Sequence, residues 1–227
     1  MHIHYLQHVE FEGPGYIEQW ARDQGYHISG TRLYDHQELP ELEEIDLLIV
    51  MGGPMGVYDD DQYPWLVSEK AYIKHAVESG KRVLGICLGA QLLAHVLGAK
   101  IEQAPHTEIG WFPVTLETKH PLLDKIPESF KAFHWHGDMF DIPVGAVPIF
   151  KSAGCPNQGF IYQNKVVGFQ FHFETTPESL SAMLASDDVD AYQETFVQSA
   201  AAIREKAHHC QRLNTYLATI LTRLINH

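Results

Sequence analysis

Lys81-Arg82-Val83-Leu84-Gly85-Ile86-Cys87-Leu88-Gly89-Ala90-Gln91-Leu92-Leu93 is an apolar strand that passes through Gly-x-Cys-x-Gly straight into a helix. Such a strand-turn-helix delivers one side chain to the carboxyl edge of a sheet, and small residues on either side let the chain turn sharply around it. The helix that follows aims its positive end at the sulfur. Cysteine reacts as thiolate, and a helix N-terminus is one of the few surroundings that favour that form. Cys87 therefore reads as a nucleophile, and a nucleophile needs a base and a place for developing negative charge.

Gly168-Phe169-Gln170-Phe171-His172-Phe173-Glu174 alternates strictly. On a strand, Phe169, Phe171 and Phe173 share one face and have the look of core, while Gln170, His172 and Glu174 share the other. An imidazole beside a carboxylate can take the thiol proton at one ring nitrogen while the carboxylate fixes the tautomer at the other. The same pair could hold zinc, but the sequence places no third ligand. In Asp46-Leu47-Leu48-Ile49-Val50-Met51-Gly52-Gly53-Pro54-Met55-Gly56 a buried strand ends in a glycine-rich turn. A backbone N–H there, with that of Leu88, is a candidate oxyanion hole. The turn is neither G-x-G-x-x-G nor a Walker loop, so it lacks the residues of a nucleotide site.

Strand–helix alternation fills the first hundred residues. Strands are expected over 2–8, 27–34, 46–50 and 83–86, and helices over 16–24, 64–79 and 88–97. This pattern predicts an α/β fold with an open, mostly parallel sheet and helices on both faces, whose site lies at the carboxyl ends of the strands. From Lys100 to Gln170, short segments around 111–116, 132–136 and 160–163 predict antiparallel strands. From Asp190 to His227 the chain reads as helix. Leu213, Tyr216, Leu217, Ile220, Leu221, Leu224 and Ile225 form an apolar stripe that either covers the sheet or makes a subunit contact. Residues 1–185 are the expected catalytic domain, and residues 186–227 a C-terminal helical extension of it.

Together these pieces resemble the class I glutamine amidotransferases. The resemblance rests on Gly85-Ile86-Cys87-Leu88-Gly89-Ala90-Gln91, the Gly52-Gly53-Pro54 turn and Gln170-Phe171-His172-Phe173-Glu174. Trp135-His136-Gly137-Asp138 adds a fourth match, similar to the substrate-side loop of members nearest the GMP synthetase type. It runs from about residue 40 to about residue 180. It implies a flavodoxin-like fold and a Cys-His-Glu triad of Cys87, His172 and Glu174. It also implies an oxyanion hole of the Gly53 and Leu88 N–H groups and contact of Gln91 with bound glutamine. Gly52, His136, Gly137 and Asp138 join the expected substrate contacts, and Tyr58, just after the glycine turn, is placed to close over the substrate. Phe173 stands where the family usually has proline, so local backbone change is expected there. The implied chemistry is hydrolysis of a γ-glutamyl amide through a thioester, with no cofactor and no metal. The chain is then either a glutaminase subunit that releases glutamate and ammonia for a separate synthase partner subunit, or a free-standing γ-glutamyl peptide or amide hydrolase. A third reading keeps the elbow as a binding or stress-response module without turnover.

Composition narrows the partners. The chain has 227 residues and a formal net charge of −13, which disfavours nucleic acid and anionic membrane. Three cysteines, Cys87, Cys155 and Cys210, form no framework. That usage, with an N-terminus lacking a signal pattern and no apolar run of about 18 residues, favours a cytoplasmic setting. The Asp59-Asp60-Asp61 run reads as a solvated helix-start cluster, and most of the 15 histidines as solvated.

Overall fold

The computed structural model describes residues 1–226; His227, the last residue of the expected extension, lies outside them. One nine-stranded sheet carries the fold, in the order β2-β1-β3-β4-β9-β8-β7-β5-β6. Its parallel half consists of β2 (His27–Arg32), β1 (His2–Gln7), β3 (Leu47–Val50), β4 (Arg82–Ile86) and β9 (Val166–Phe169). Its antiparallel half adds β8 (Gly159–Tyr162), β7 (Val147–Ser152), β5 (Ile101–Leu116) and β6 (Ser129–Phe140).

The apolar strands explain the layers. In β3, Leu47 and Ile49 pack into one core and Leu48 and Val50 into the other, as expected of a strand covered on both faces. Helices α2 (Trp65–Glu78) and α3 (Leu88–Val96) cover the second core. Helices α1 (Tyr16–Asp23), α4 (Pro177–Ser186), α5 (Ala200–Glu205) and α6 (His209–Asn226) cover the first. The chain steps from β1 outward to β2, then back past β1 to β3 and β4. The carboxyl ends of β1 and β3 thus flank a switch point, where open α/β sheets hold their ligands.

Several expected boundaries shift. Strand β9 stops at Phe169, and Gln170–Glu174 continue as a bent segment with a single bridge from His172 to Phe133. The alternation survives without a ladder because three aromatic rings lock one side. Phe173, in the position usually held by proline, stacks on Phe130 at 5.5 Å and meets Phe169 at 4.9 Å. Strand β5 begins ten residues before the expected segment and carries a register shift between Gln103 and Glu108. Strand β7 was not expected, because Pro148 interrupts its pattern.

The C-terminal region is not one helix. Residues 192–199 are not helical, and part of this stretch lies along β5: the Ile109 N–H donates to the Phe196 carbonyl and the Gln198 N–H to the Ile109 carbonyl, both at 2.9 Å. The apolar stripe of α6 covers the sheet, with Leu213, Leu217, Ile220, Leu221 and Leu224 all buried in the chain's own core. That stripe is therefore not available for the expected subunit contact. Among the described residues no helix is long and apolar enough to cross a membrane.

Leu217→Ala should lower stability by about 2–5 kcal/mol through the cavity it leaves. Exposed Gln211→Ala on the same helix should stay within about 0.5 kcal/mol. Urea unfolding followed by tryptophan fluorescence measures both; equal effects would show that α6 is not part of the core.

Candidate active site

The elbow is built by close approach. Cys87 sits at φ 52°, ψ −111°, a backbone conformation that non-glycine residues avoid unless their surroundings enforce it. Its N–H donates to the Phe169 carbonyl at 2.8 Å, tying the turn to β9. A Cβ on Gly89 would lie 2.0 Å from the Val50 carbonyl oxygen, and one on Gly85 would lie 2.5 Å from that of Gly89. Only glycines at both positions let α3 seat this tightly on β3 and β4, and that seating holds Cys87 at the sheet edge.

Behind the sulfur, His172 Nδ1 and Glu174 Oε1 lie 2.7 Å apart, and His172 Nε2 faces the Cys87 thiol. Burial pulls the imidazole pKa down, but the Glu174 carboxylate and the Cys87 sulfur outweigh it, so His172 is held well above its ordinary 6.5. Burial pushes the Cys87 thiol up, opposed by His172 and by the Leu88 N–H directed at the sulfur. The thiol also reaches the Trp135 carbonyl at 3.5 Å, and Gln170 Nε2 donates to the sulfur at 3.7 Å. Glu174 is anchored in turn by its backbone carbonyl, which accepts the Tyr16 N–H at 2.8 Å.

Cys87 opens into a cavity of about 590 Å³ lined also by Glu12, Gly53, Gln91, His136, Gly137 and Asp138. The structure thus brings together nearly every residue singled out in the sequence. Gln91 Nε2 donates to Gln170 Oε1 at 3.2 Å and to the Asp138 carbonyl at 3.4 Å, bracing the floor against residues 135–138, which lie within β6 and not in the loop the sequence suggested. His136 Nδ1 bonds the same carbonyl at 2.9 Å. Gly52 lies just behind the wall, where a Cβ would meet both Glu12 Oε2 and His172 Cε1. Tyr58 is the exception. It is 58 % exposed, packs edge-on against His95, and its hydroxyl accepts the Ile101 N–H, so it does not reach the cavity. Asp59 and Asp60 are not simply solvated, since Asp59 accepts the Gly56 N–H at 2.7 Å and Asp60 pairs with Lys70.

Other groups at the site were not legible in the sequence. Glu12 follows β1, and its carboxyl is raised by burial first, with His172 opposing and Glu174 reinforcing. Its place after a strand's carboxyl end is the one signal that could have found it. Met183, Ser186, Asp187 and Tyr192 supply a wall from the C-terminal region. Between β5 and β6, Glu108, His134 and His136 are buried rather than solvated, with ligand atoms within 4.8 Å of one another, close enough to share a cation. Glu108 is, however, already hydrogen-bonded by Ser152 and by Gln158 Nε2 at 2.6 Å, and lies 3.2 Å from His136 Nε2. Burial alone would raise Glu108; His136, His134 and Ser152 hold it lower, while burial takes His134 down to about 4. Cys155 and Cys210 are free but buried, each pushed up to about 12, and have no such surroundings.

A folded-state pKa raised above the unfolded value stabilises the protein fully below about 6.5, and that stability is lost as pH rises through the folded value. Glu174→Gln removes the group that raises His172. The urea-midpoint difference from the wild type should therefore be larger below pH 6.5 and shrink on the alkaline side; a difference independent of pH would contradict the pairing.

Residues 17–191 match the family model described as glutamine amidotransferase class-I. The glutamine amidotransferase-like protein YfeJ of Salmonella typhimurium is 36% identical over 234 residues, covering 99% of this chain and 97% of that protein. A GMP synthase [glutamine-hydrolyzing] of Thermomicrobium roseum is 36% identical over 138 residues, covering 60% of this chain but 25% of the synthase. Among solved structures, a glutamine amidotransferase from Thermotoga maritima superposes with a TM-score of 0.94 at 31% identity, covering 100% of this chain and 99% of that one. One from Methylobacillus flagellatus gives 0.92 at 29%, covering 99% and 94%. With its elbow, its sheet and these matches along nearly its whole length, the chain belongs to the class I glutamine amidotransferase family.

Proposed function

We propose that the chain hydrolyses a γ-glutamyl amide, with Cys87 as nucleophile, His172 as proton carrier and Glu174 as the group that orients it. The observation that carries this is Cys87 itself. A strained residue is held at a cavity mouth, with a buried His–Glu pair aligned behind its sulfur. Cys87 attacks the γ-carbonyl carbon as the thiolate, its proton already resting on His172 Nε2. The oxyanion takes hydrogen bonds from the N–H groups of Gly53 and Leu88. His172 returns the proton to the amide nitrogen, the C–N bond breaks, and the amine leaves. A γ-glutamyl thioester remains. His172 then removes a proton from water, which attacks the thioester and releases glutamate, leaving the Cys87 thiolate beside the protonated His172.

The carboxyl of Asp138 suits the substrate's α-ammonium group. Gln91, Gly52, His136 and Gly137 act by shaping the wall against which the glutamyl backbone lies. No step calls for a metal or cofactor, and the setting we assign is the cytoplasm.

A free-standing γ-glutamyl hydrolase is favoured over a subunit serving a synthase partner. The cavity, at about 590 Å³, has the size of an ordinary small-ligand site and leaves room beside a glutamyl group. Part of its wall comes from Met183, Ser186, Asp187 and Tyr192. That space suits a leaving group larger than ammonia.

Ammonia and glutamate release from glutamine and from a γ-glutamyl peptide test this reading. The purified chain should turn over the peptide unaided, and Cys87→Ala should lose about 10⁴-fold or more while keeping its fold. Peptide turnover by Cys87→Ala would refute the assignment. Silence of the wild type on both substrates, with Cys87 still labelled by a glutamine-like electrophile, would favour the partner-dependent reading.

A further inference from the structure

Against the glycine turn lies a second buried His–Glu pair. His8, directly after β1, and Glu69, on α2, are both fully buried. His8 Nε2 and Glu69 Oε1 are 2.8 Å apart, and His8 Nδ1 lies 2.9 Å from the Gly52 carbonyl oxygen. The imidazole also stacks on Trp65, with ring centroids 5.5 Å apart. Burial lowers the His8 pKa, but Glu69 and the Gly52 carbonyl more than offset this and leave it raised. Both ring nitrogens face acceptor oxygens, the geometry of an imidazole whose Nε2–H donates to Glu69 and whose Nδ1–H donates to Gly52.

A fully buried ion pair is a weak source of stability, because desolvation cancels much of its attraction. What the pair holds explains it better. The Gly52 carbonyl and the Gly53 N–H belong to one peptide group, and no peptide bond among the described residues is cis. In a trans peptide the carbonyl and N–H point in opposite directions. Anchoring the Gly52 oxygen to His8 therefore sets the direction of the Gly53 N–H. That peptide lies between two glycines, the residues least able to restrain it themselves. It is also wedged, since a Cβ on Gly53 would lie 2.9 Å from His8 Cβ and 3.2 Å from Leu88 Cδ2.

We propose that His8, held by Glu69, is a positioning residue that fixes the Gly52–Gly53 peptide so that its N–H faces the oxyanion. This rests on the proposed Cys87 chemistry and adds the device that preorganises one of its two oxyanion donors. His8 touches no reacting atom. Its effect falls on the tetrahedral state, where the negative charge develops, and not on substrate binding or on the reactivity of the sulfur.

Two substitutions separate its bonds. His8→Asn puts an amide N–H near the place of Nδ1 and keeps a donor for Gly52 while losing Glu69. His8→Gln reaches Glu69 and loses the donor to Gly52. Three readouts apply: kcat and KM on the γ-glutamyl substrate, affinity for glutamate γ-semialdehyde, which forms a tetrahedral adduct on the sulfur, and the rate of Cys87 alkylation by iodoacetamide, which needs no oxyanion hole. His8→Gln should lose about 10²-fold in kcat and a similar factor in aldehyde affinity, with KM and alkylation within about 3-fold of wild type. His8→Asn should keep kcat within about 10-fold. Equal losses in both variants, or alkylation falling in step with kcat, would overturn the proposal and leave His8 a packing residue. A wild type that neither turns over the substrate nor binds the aldehyde would fail the Cys87 chemistry instead, which distinguishes the two.

Discussion

The site depends on how closely α3 sits on β3 and β4. Gly85 and Gly89 leave no room for a side chain, and the Val50 and Gly89 carbonyls occupy the space a Cβ would need. That contact forces Cys87 into its positive-φ conformation and points the first N–H of α3 at the sulfur. Relieving it would let the helix drift outward and the cysteine relax. The cavity and His172 are both placed with respect to that one side chain. The strain at Cys87 is tolerated because both cores, packed against opposite faces of the sheet, hold the helix and the strands it joins.

Burial sets the electrostatics. Water is excluded from His172, Glu108 and His8, so each imidazole or carboxylate answers to one or two named partners. His172 is held high by Glu174, whereas His134, buried among aromatic rings with Glu108 3.7 Å away, is held low. The two imidazoles shift in opposite directions because burial outweighs Glu108 at His134, whereas Glu174, at 2.7 Å, outweighs burial at His172. The sulfur lies between a burial that favours the thiol and an imidazole and helix end that favour the thiolate. Substrate entering the cavity would complete the desolvation and bring the carbonyl on which that balance acts.

Where function is carried by short-range pattern, the sequence is legible. The Gly-x-Cys-x-Gly elbow and the buried β3 fall where the sequence puts them; the alternation around His172 sorts its phenylalanines into the core as expected, although the strand itself ends at Phe169. What the sequence hid is non-local. The His8–Glu69 bond joins residues 61 apart with no motif between them. Glu12 has no pattern apart from its place after β1. The irregular register of β5 and the proline in β7 break the period by which strands are recognised. Residues 192–199 suggest helix by continuity with α6, yet part of the segment lies along β5 because backbone groups there are open to pairing. Tyr58 follows the turn in sequence, but Ile101 and His95 draw it to the other side of α3.

A covalent γ-glutamyl thioester on Cys87 is the central claim, and intact-protein mass spectrometry after acid quench of the chain mixed with glutamine or a γ-glutamyl peptide tests it most directly. The account predicts a transient mass increase of one glutamyl group, mapped by digestion to the peptide holding Cys87 and absent from Cys87→Ala. Release of glutamate at full rate with no adduct under any quench time, or an adduct on another residue, would contradict it.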